Sequence, residues 1–233
     1  GLGAAPHLLD LALDHNPSYD RRRRAHVAML AARLGYVAVH VPVSASGSPG
    51  SSLTGSSFTV AEVAQDHLEE LAEQLHESCS ASVLDGEDIV YVARSSTNRI
   101  MTIGLSVGTR LPAHCTSMGR VLLAGMSESD LDRYLSSANL QARTERTIIE
   151  PSRLRAELDA VRAQGWALLD QELEEGVRSV AVPVRDTGGH VVAAINTSAH
   201  ATRVTLDTLR GTFLPALRIC GQRIENDLAG RLR

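Results

Sequence analysis

The chain has 233 residues, 43% of them hydrophobic, and a net charge of −4; that is room for one good domain and a small second one, with no overall basic field to draw it to nucleic acid. All 23 basic residues are arginine, which excludes Schiff-base chemistry and a phosphate-loop lysine. No run reaches the ~18 apolar residues of a membrane span, residues 1–20 lack the basic start and continuous apolar stretch of a signal peptide, and Cys79, Cys115 and Cys220 are too scattered for a disulfide framework, so the expected location is a reducing cytoplasm.

Residues 1–57 form an N-terminal segment with five Arg against three Asp, while residues 58–233 carry 18 Arg against 24 acids. Any contact with DNA therefore belongs to the first part. Leu8 to His15 is apolar with acidic breaks. Arg21, Arg22, Arg23 and Arg24 make a basic block ahead of a helical pattern from Ala28 to Leu34, which Gly35 would end. Tyr36 to Val41 reads as a strand, and residues 44–57 have the Ser/Gly composition of a loop or linker. A solvated helix face accounts for the four arginines as well as a DNA contact does.

Thr59-Val60-Ala61-Glu62 reads as a capping box. The helix it opens places Ala64, Leu68, Leu71 and Leu75 on one face, and residues 58–78 form a connector. Ser80 to Arg94 reads as a hairpin with its turn at Asp85-Gly86. A strand from Ile100 is expected next, then a turn at Gly108-Thr109-Arg110. Pro112 holds Leu111 extended. A helix follows from Met118 to Ala124, capped by Thr116 or Ser117. Its free N–H groups and positive dipole end suit a carboxylate, although an ordinary capped strand–turn–helix has the same appearance.

Ser127 opens a further helix with Leu131 and Leu135 inward. Pro151 sits at the favoured first position of another, whose inner face is Leu154, Leu158 and Val161 and whose end is Gly165. Strands Val180–Val184 and Val191–Thr197 flank the turn at residues 186–189. A last helix begins near Thr205 and carries Leu209, Phe213, Cys220, Ile224 and Leu228, with Pro215 expected to bend or interrupt it. Hairpin-joined strands with helices before, between and after them predict an α+β domain on an antiparallel sheet.

Residues 82–94 (SVLDGEDIVYVAR), 107–125 (VGTRLPAHCTSMGRVLLAG), 165–184 (GWALLDQELEEGVRSVAVPV) and 191–200 (VVAAINTSAH) resemble, in this order, the effector-binding domain of IclR-type bacterial transcription regulators. The resemblance covers about Phe58 to Arg233. His76-Glu77-Ser78, residues 99–120 and residues 213–217 look closest to the PcaR/PcaU/PobR branch, whose members respond to aromatic-acid catabolites. The resemblance implies a GAF/profilin-like fold with helices on one face of the sheet and a ligand pocket on the other, spanning residues 79–233. It implies a homodimer or homotetramer, no cofactor, and a winged helix in residues 1–57. That segment is short for a winged helix, so a degenerate or truncated one is expected. Residues 32–43 (ARLGYVAVHVPV) also resemble, weakly, the opening of a luciferase-like flavin monooxygenase barrel.

Carried over residue by residue, the effector contacts are Ile100 and Ile103 as apolar walls, Ser117 and Met118 at the helix start with Thr116 and Arg120 near, Asp170 or its neighbour Leu169 from the loop after Gly165, and Val177, Ser179, Asn196 and Ser198 from the last hairpin. DNA contacts would fall to Arg21, Arg22, Arg23 and Arg24. A bound carboxylate needs a charge-assisted partner, and Arg120 or Arg178 is available unless paired with Glu172, Glu174 or Glu175. The expected function is a regulator that senses a small organic or aromatic acid of the β-ketoadipate route and modulates DNA binding. The alternative is a stand-alone acid sensor or oligomerisation domain fused to an unrelated N-terminal fragment.

No catalytic residue is expected. His114 and Cys115 are adjacent, and in an extended segment adjacent side chains point to opposite faces; no Gly-x-Ser-x-Gly elbow is present. No metal site is expected either, because the single pair His76 and Cys79, three apart on one helix face, falls short of four ligands.

Overall fold

The computed structural model describes residues 60–96 and 105–230, and Val60–Arg233 forms one compact unit. The expectations for residues 1–57, including the four arginines, for the Thr59 cap and for Ile100 and Ile103 lie outside the described residues. Helix α1 (Val60–Leu75) buries Ala64, Leu68, Leu71 and Leu75, the face read from the sequence, together with Val63 and Ala72. Strands β1 (Ser78–Asp85) and β2 (Asp88–Ser95) form the expected hairpin, with Gly86 at φ 63° in its turn. Leu105 and Ser106, at the end of the expected Ile100 strand, are irregular. Gly108, at φ 90°, turns the chain into the short strand β3 (Arg110–Pro112).

A 3-10 turn, Ala113–Cys115, leads into α2 (Ser117–Ala124). Ser127 caps α3 (Glu128–Ser137). Pro151 opens α4 (Pro151–Gln164) and Gly165 closes it at φ 77°. Strands β4 (Ala167–Asp170), β5 (Val177–Arg185) and β6 (Val191–His200) follow. The chain ends in α5 (Leu206–Thr208), a π-helical stretch Leu209–Phe213, and α6 (Leu214–Gly230). Pro215 has no N–H to continue an i→i−4 ladder. The expected interruption takes the form of that wider turn, with the Leu214 N–H bonded to the Leu209 carbonyl.

The sheet is antiparallel throughout, in the order β3-β2-β1-β6-β5-β4. One face packs on α1 and α6 through Cys79, Ala81, Val180, Val182, Ile195 and Leu217. The other packs on α2 and α4 through Ile89, Tyr91, Ala181, Ala194, Leu123 and Leu158. Helices thus cover both faces. The expectation of helices on one face only is corrected, because residues 113–164 fold back as a second helical layer that shares its sheet face with the pocket. Among the described residues no helix is long and apolar enough to cross a membrane.

Candidate functional site

The site is built around the start of α2. Thr116 is the N-cap: its backbone is extended, and its Oγ1 accepts from the Gly119 N–H at 3.2 Å while donating toward the Pro112 carbonyl, also at 3.2 Å. Gly119 lets the helix enter this closely. A Cβ there would lie 2.1 Å from the Ala113 carbonyl oxygen and 2.5 Å from Thr116 Oγ1. The Ser117 and Met118 N–H groups belong to the first turn and have no intrahelical acceptor. Ser117 is 1% exposed, and its Oγ has no hydrogen-bond partner.

These groups open on a cavity of about 30 Å³ between α2, the sheet and the turn after β4. Thr116, Ser117 and Met118 form its α2 side; Val177, Ser179, Asn196 and Ser198 form its sheet side. Strand alternation explains the second set: residues 177 and 179, and 196 and 198, share a face, and Ser179 pairs directly with Ser198. Asn196 Nδ2 donates to Ser198 Oγ at 3.0 Å. Tyr91, Leu105, Cys115, Leu169, Glu172, Leu173 and Glu174 complete the lining. Apart from Leu169, none of these seven was singled out from the sequence as a contact. Tyr91 and Glu172 reach the cavity through pairings distant in the chain, which local patterns do not carry.

Two expected contacts stand elsewhere. Leu169 lines the cavity and Asp170 does not, since adjacent strand residues face opposite ways. Asp170 accepts from Arg178 Nε at 2.5 Å and from Arg146 at 2.6 Å, and these guanidinium donors hold its carboxyl below the usual range against the opposing effect of burial. Arg178 is therefore paired with Asp170, not with Glu172, Glu174 or Glu175. Arg120 is 1% exposed and lies behind the cavity wall, donating through Nε to the His114 carbonyl at 3.0 Å and through Nη2 to Glu172 Oε2 at 2.5 Å. Glu172 also accepts from the Ile148 N–H at 3.3 Å. Burial nevertheless pushes its carboxyl up, outweighing Arg120.

The wall from Gln171 to Gly176 is a tight turn with Gln171 at φ 63°. The Gln171 side chain accepts from the Gly176 N–H, while the Thr144 and Thr147 hydroxyls donate to the carbonyls of Gln171 (2.7 Å) and Glu172 (2.6 Å).

His114 and Cys115 sit in a 3-10 turn rather than an extended segment, and the two are engaged separately. His114 Nε2 donates to the Gln141 carbonyl at 3.0 Å, and Cys115 Sγ lies 3.8 Å from the Pro112 carbonyl. Burial pushes the Cys115 thiol up to about 11, which leaves it no nucleophilic thiolate at neutral pH. His76 follows the end of α1 and Cys79 lies in β1, so the two share no helix face. Among the described residues no group of His, Cys, Asp and Glu is arranged to hold a metal.

The model of the bacterial transcriptional regulator IclR C-terminal family matches residues 53–226. A Pca regulon regulatory protein of Pseudomonas putida is 49% identical over 176 residues, 75% of this chain and 60% of that protein. Among solved structures, a putative transcriptional regulator from Rhodococcus sp. RHA1 is 53% identical with a TM-score of 0.73, over 75% of this chain and 71% of that one. The inducer-binding domain of a PobR transcription factor from Acinetobacter, a double mutant in complex with 3-hydroxybenzoic acid, is 35% identical with a TM-score of 0.69, over 72% of this chain and 99% of that one. The chain spans less than two thirds of the length of the curated relatives it matches.

Proposed function

The chain belongs to the IclR family of bacterial transcriptional regulators, and we propose that the unit from Val60 is the effector-sensing part of such a regulator, with a small aromatic or related organic acid as its ligand. The observation that carries this reading is the buried, unpartnered Ser117 Oγ beside the free N–H groups of Ser117 and Met118, all turned on one cavity. A carboxylate there satisfies three donors at a helix's positive end. Met118, Leu169, Val177 and Tyr91 hold the carbon skeleton, and Asn196 with Ser198 meets a polar group at its far side. The complex of the Acinetobacter relative with 3-hydroxybenzoic acid supports an aromatic acid. The relatives are named as regulatory proteins, which supports a regulator over an enzyme.

The cavity of about 30 Å³ is well short of the roughly 150 Å³ of a cavity that holds benzene. In this reading a ring acid enters as the wall at residues 171–176 moves. The ligand then favours the open arrangement over the closed one by differential affinity. In the reading we favour, residues 58–78 connect this change to a DNA-binding segment in residues 1–57 that includes Arg21 to Arg24, in a cytoplasmic homodimer or homotetramer.

Thermal shift against protocatechuate, p-hydroxybenzoate, β-ketoadipate, pyruvate and glyoxylate tests the sensor. An acid at 100 times its Kd stabilises by about 2.7 kcal/mol, several degrees in Tm. Asn196→Ala and Ser117→Ala are expected to weaken that shift. Absence of a shift with every acid contradicts the reading.

A further inference from the structure

Arg120, Arg178 and Arg203 each pair with a buried or half-buried acid, Glu172, Asp170 and Glu77 respectively. Arg94 on β2 is different. It is half-buried, its one side-chain bond goes from Nη1 to the hydroxyl of Ser80 at 2.9 Å, and its Nε is buried with no acceptor. Among the described residues it holds no carboxylate, and the undescribed residues that follow β2, 97–104, contain neither Asp nor Glu. A guanidinium withdrawn from water without a counter-ion is unfavourable until an anion reaches it. Burial accordingly pulls its pKa down.

The register puts Arg94 on the cavity face. Arg94 pairs with Ser80 across β2 and β1, and Ser80 pairs with Asn196 across β1 and β6, so the three side chains stand in one row on one face. Two residues along β1, on the same face, Ser82 pairs with Tyr91 and donates to Met118 Sδ at 3.2 Å. Tyr91, Met118 and Asn196 all line the cavity. Ser80, itself 1% exposed, is the link between that lining and the unpaired guanidinium. Arg94 lies about 10 Å from Asn196 along the row, two strand spacings, at the β2 edge of the lining.

We propose that Arg94 is a second anion contact of the effector site, taking an acidic oxygen at the end of the ligand remote from α2. This rests on the effector reading above and adds to it a preference for acids with two anionic ends. No local pattern in the sequence marks Arg94, because its meaning lies in a partner it lacks, and only the register across three strands reveals that.

Calorimetric titration of the full chain with terephthalate and its monoamide, and with adipate and its monoamide, tests the assignment; each pair differs by one charge at nearly constant shape. At least one diacid is expected to bind wild type tenfold or more tightly than its monoamide. Arg94→Gln is expected to erase the ratio by weakening the diacid alone, and Arg94→Lys to keep part of it. Equal affinities within both pairs on wild type overturn the proposal, whatever the variants do, and so does a ratio that survives in Arg94→Gln. Monoamide binding without a diacid preference leaves the effector reading standing while Arg94 falls; binding of none of the four, together with no thermal shift from the acid panel, removes both.

Discussion

Gly119 shows how one residue sets the geometry of the site. The 3-10 turn at residues 113–115 folds directly under the first turn of α2, and the Ala113 backbone occupies the space a side chain would need. Gly119→Ala must push the turn and the helix start apart. Overpacking of this kind costs about 1–3 kcal/mol, so Tm is expected to fall by several degrees in a thermal melt. Effector affinity is expected to fall further than the stability loss explains, because the Ser117 and Met118 N–H groups are displaced. A variant with wild-type affinity would mean that these N–H groups do not hold the ligand. Arg120 carries a different lesson at the same scale. Its place one turn into the helix suggests a ligand contact, but its guanidinium is spent on Glu172 and the His114 carbonyl. Buried and paired in this way, Arg120 braces the wall formed by Glu172.

In the proposed reading, the turn from Gln171 to Gly176 is the element that yields for a ring to enter. It is held shut by the hydroxyls of Thr144 and Thr147 and by the Arg120–Glu172 pair. Thr147→Val removes a 2.6 Å bond to the Glu172 carbonyl and two acceptor contacts to the Arg143 and Thr144 N–H groups. The free chain should lose about 1–3 kcal/mol. The effector should bind several-fold more tightly, since less of its binding energy goes into opening the wall. Calorimetry and melting of the same variant check both directions; weaker binding would show that the turn is part of the bound state as it stands. Elements of this kind divide what the sequence reveals from what it hides. Caps and turns are local, so Thr116, Ser127, Thr205, Gly86 and Gly165 could be read in place. Strands β5 and β6 run past their expected limits, because pairing across the sheet carries polar residues such as Ser179 and Ser198 that hydrophobic alternation does not mark. The choice between Leu169 and Asp170 turned on a one-residue register that Arg178 and Arg146 decide from elsewhere in the chain. Glu172 and Tyr91 came to the cavity by contacts no window of sequence contains.

At the scale of the whole unit, two helical layers clamp one sheet, and stability couples to the site through His114. Its ring sits in the layer formed by residues 113–164, among Arg120, Arg143 and Glu87, and burial is the main cause that lowers its pKa. The folded form thus favours neutral imidazole. That contribution is present above the unfolded value of about 6.5 and is lost as pH falls from there through the lowered folded value. Glu172 has the opposite sign, because its raised pKa favours the folded state as protons are added. Comparing variants separates the two. Between pH 7.5 and 5.5, His114→Gln should show a smaller drop in Tm than wild type; an equal drop would place the pH sensitivity elsewhere.

In the proposed reading an acid sits with its carboxylate on the start of α2. The most direct measurement is a crystal structure of this chain with p-hydroxybenzoate or the acid giving the largest thermal shift. Carboxylate oxygens are expected about 3 Å from the Ser117 and Met118 nitrogens, with Ser117 Oγ now bonded and the turn at residues 171–176 displaced outward. An acid bound instead in the groove between α1 and α6 near His67 and Arg223, with Ser117 Oγ still unpartnered, would contradict it.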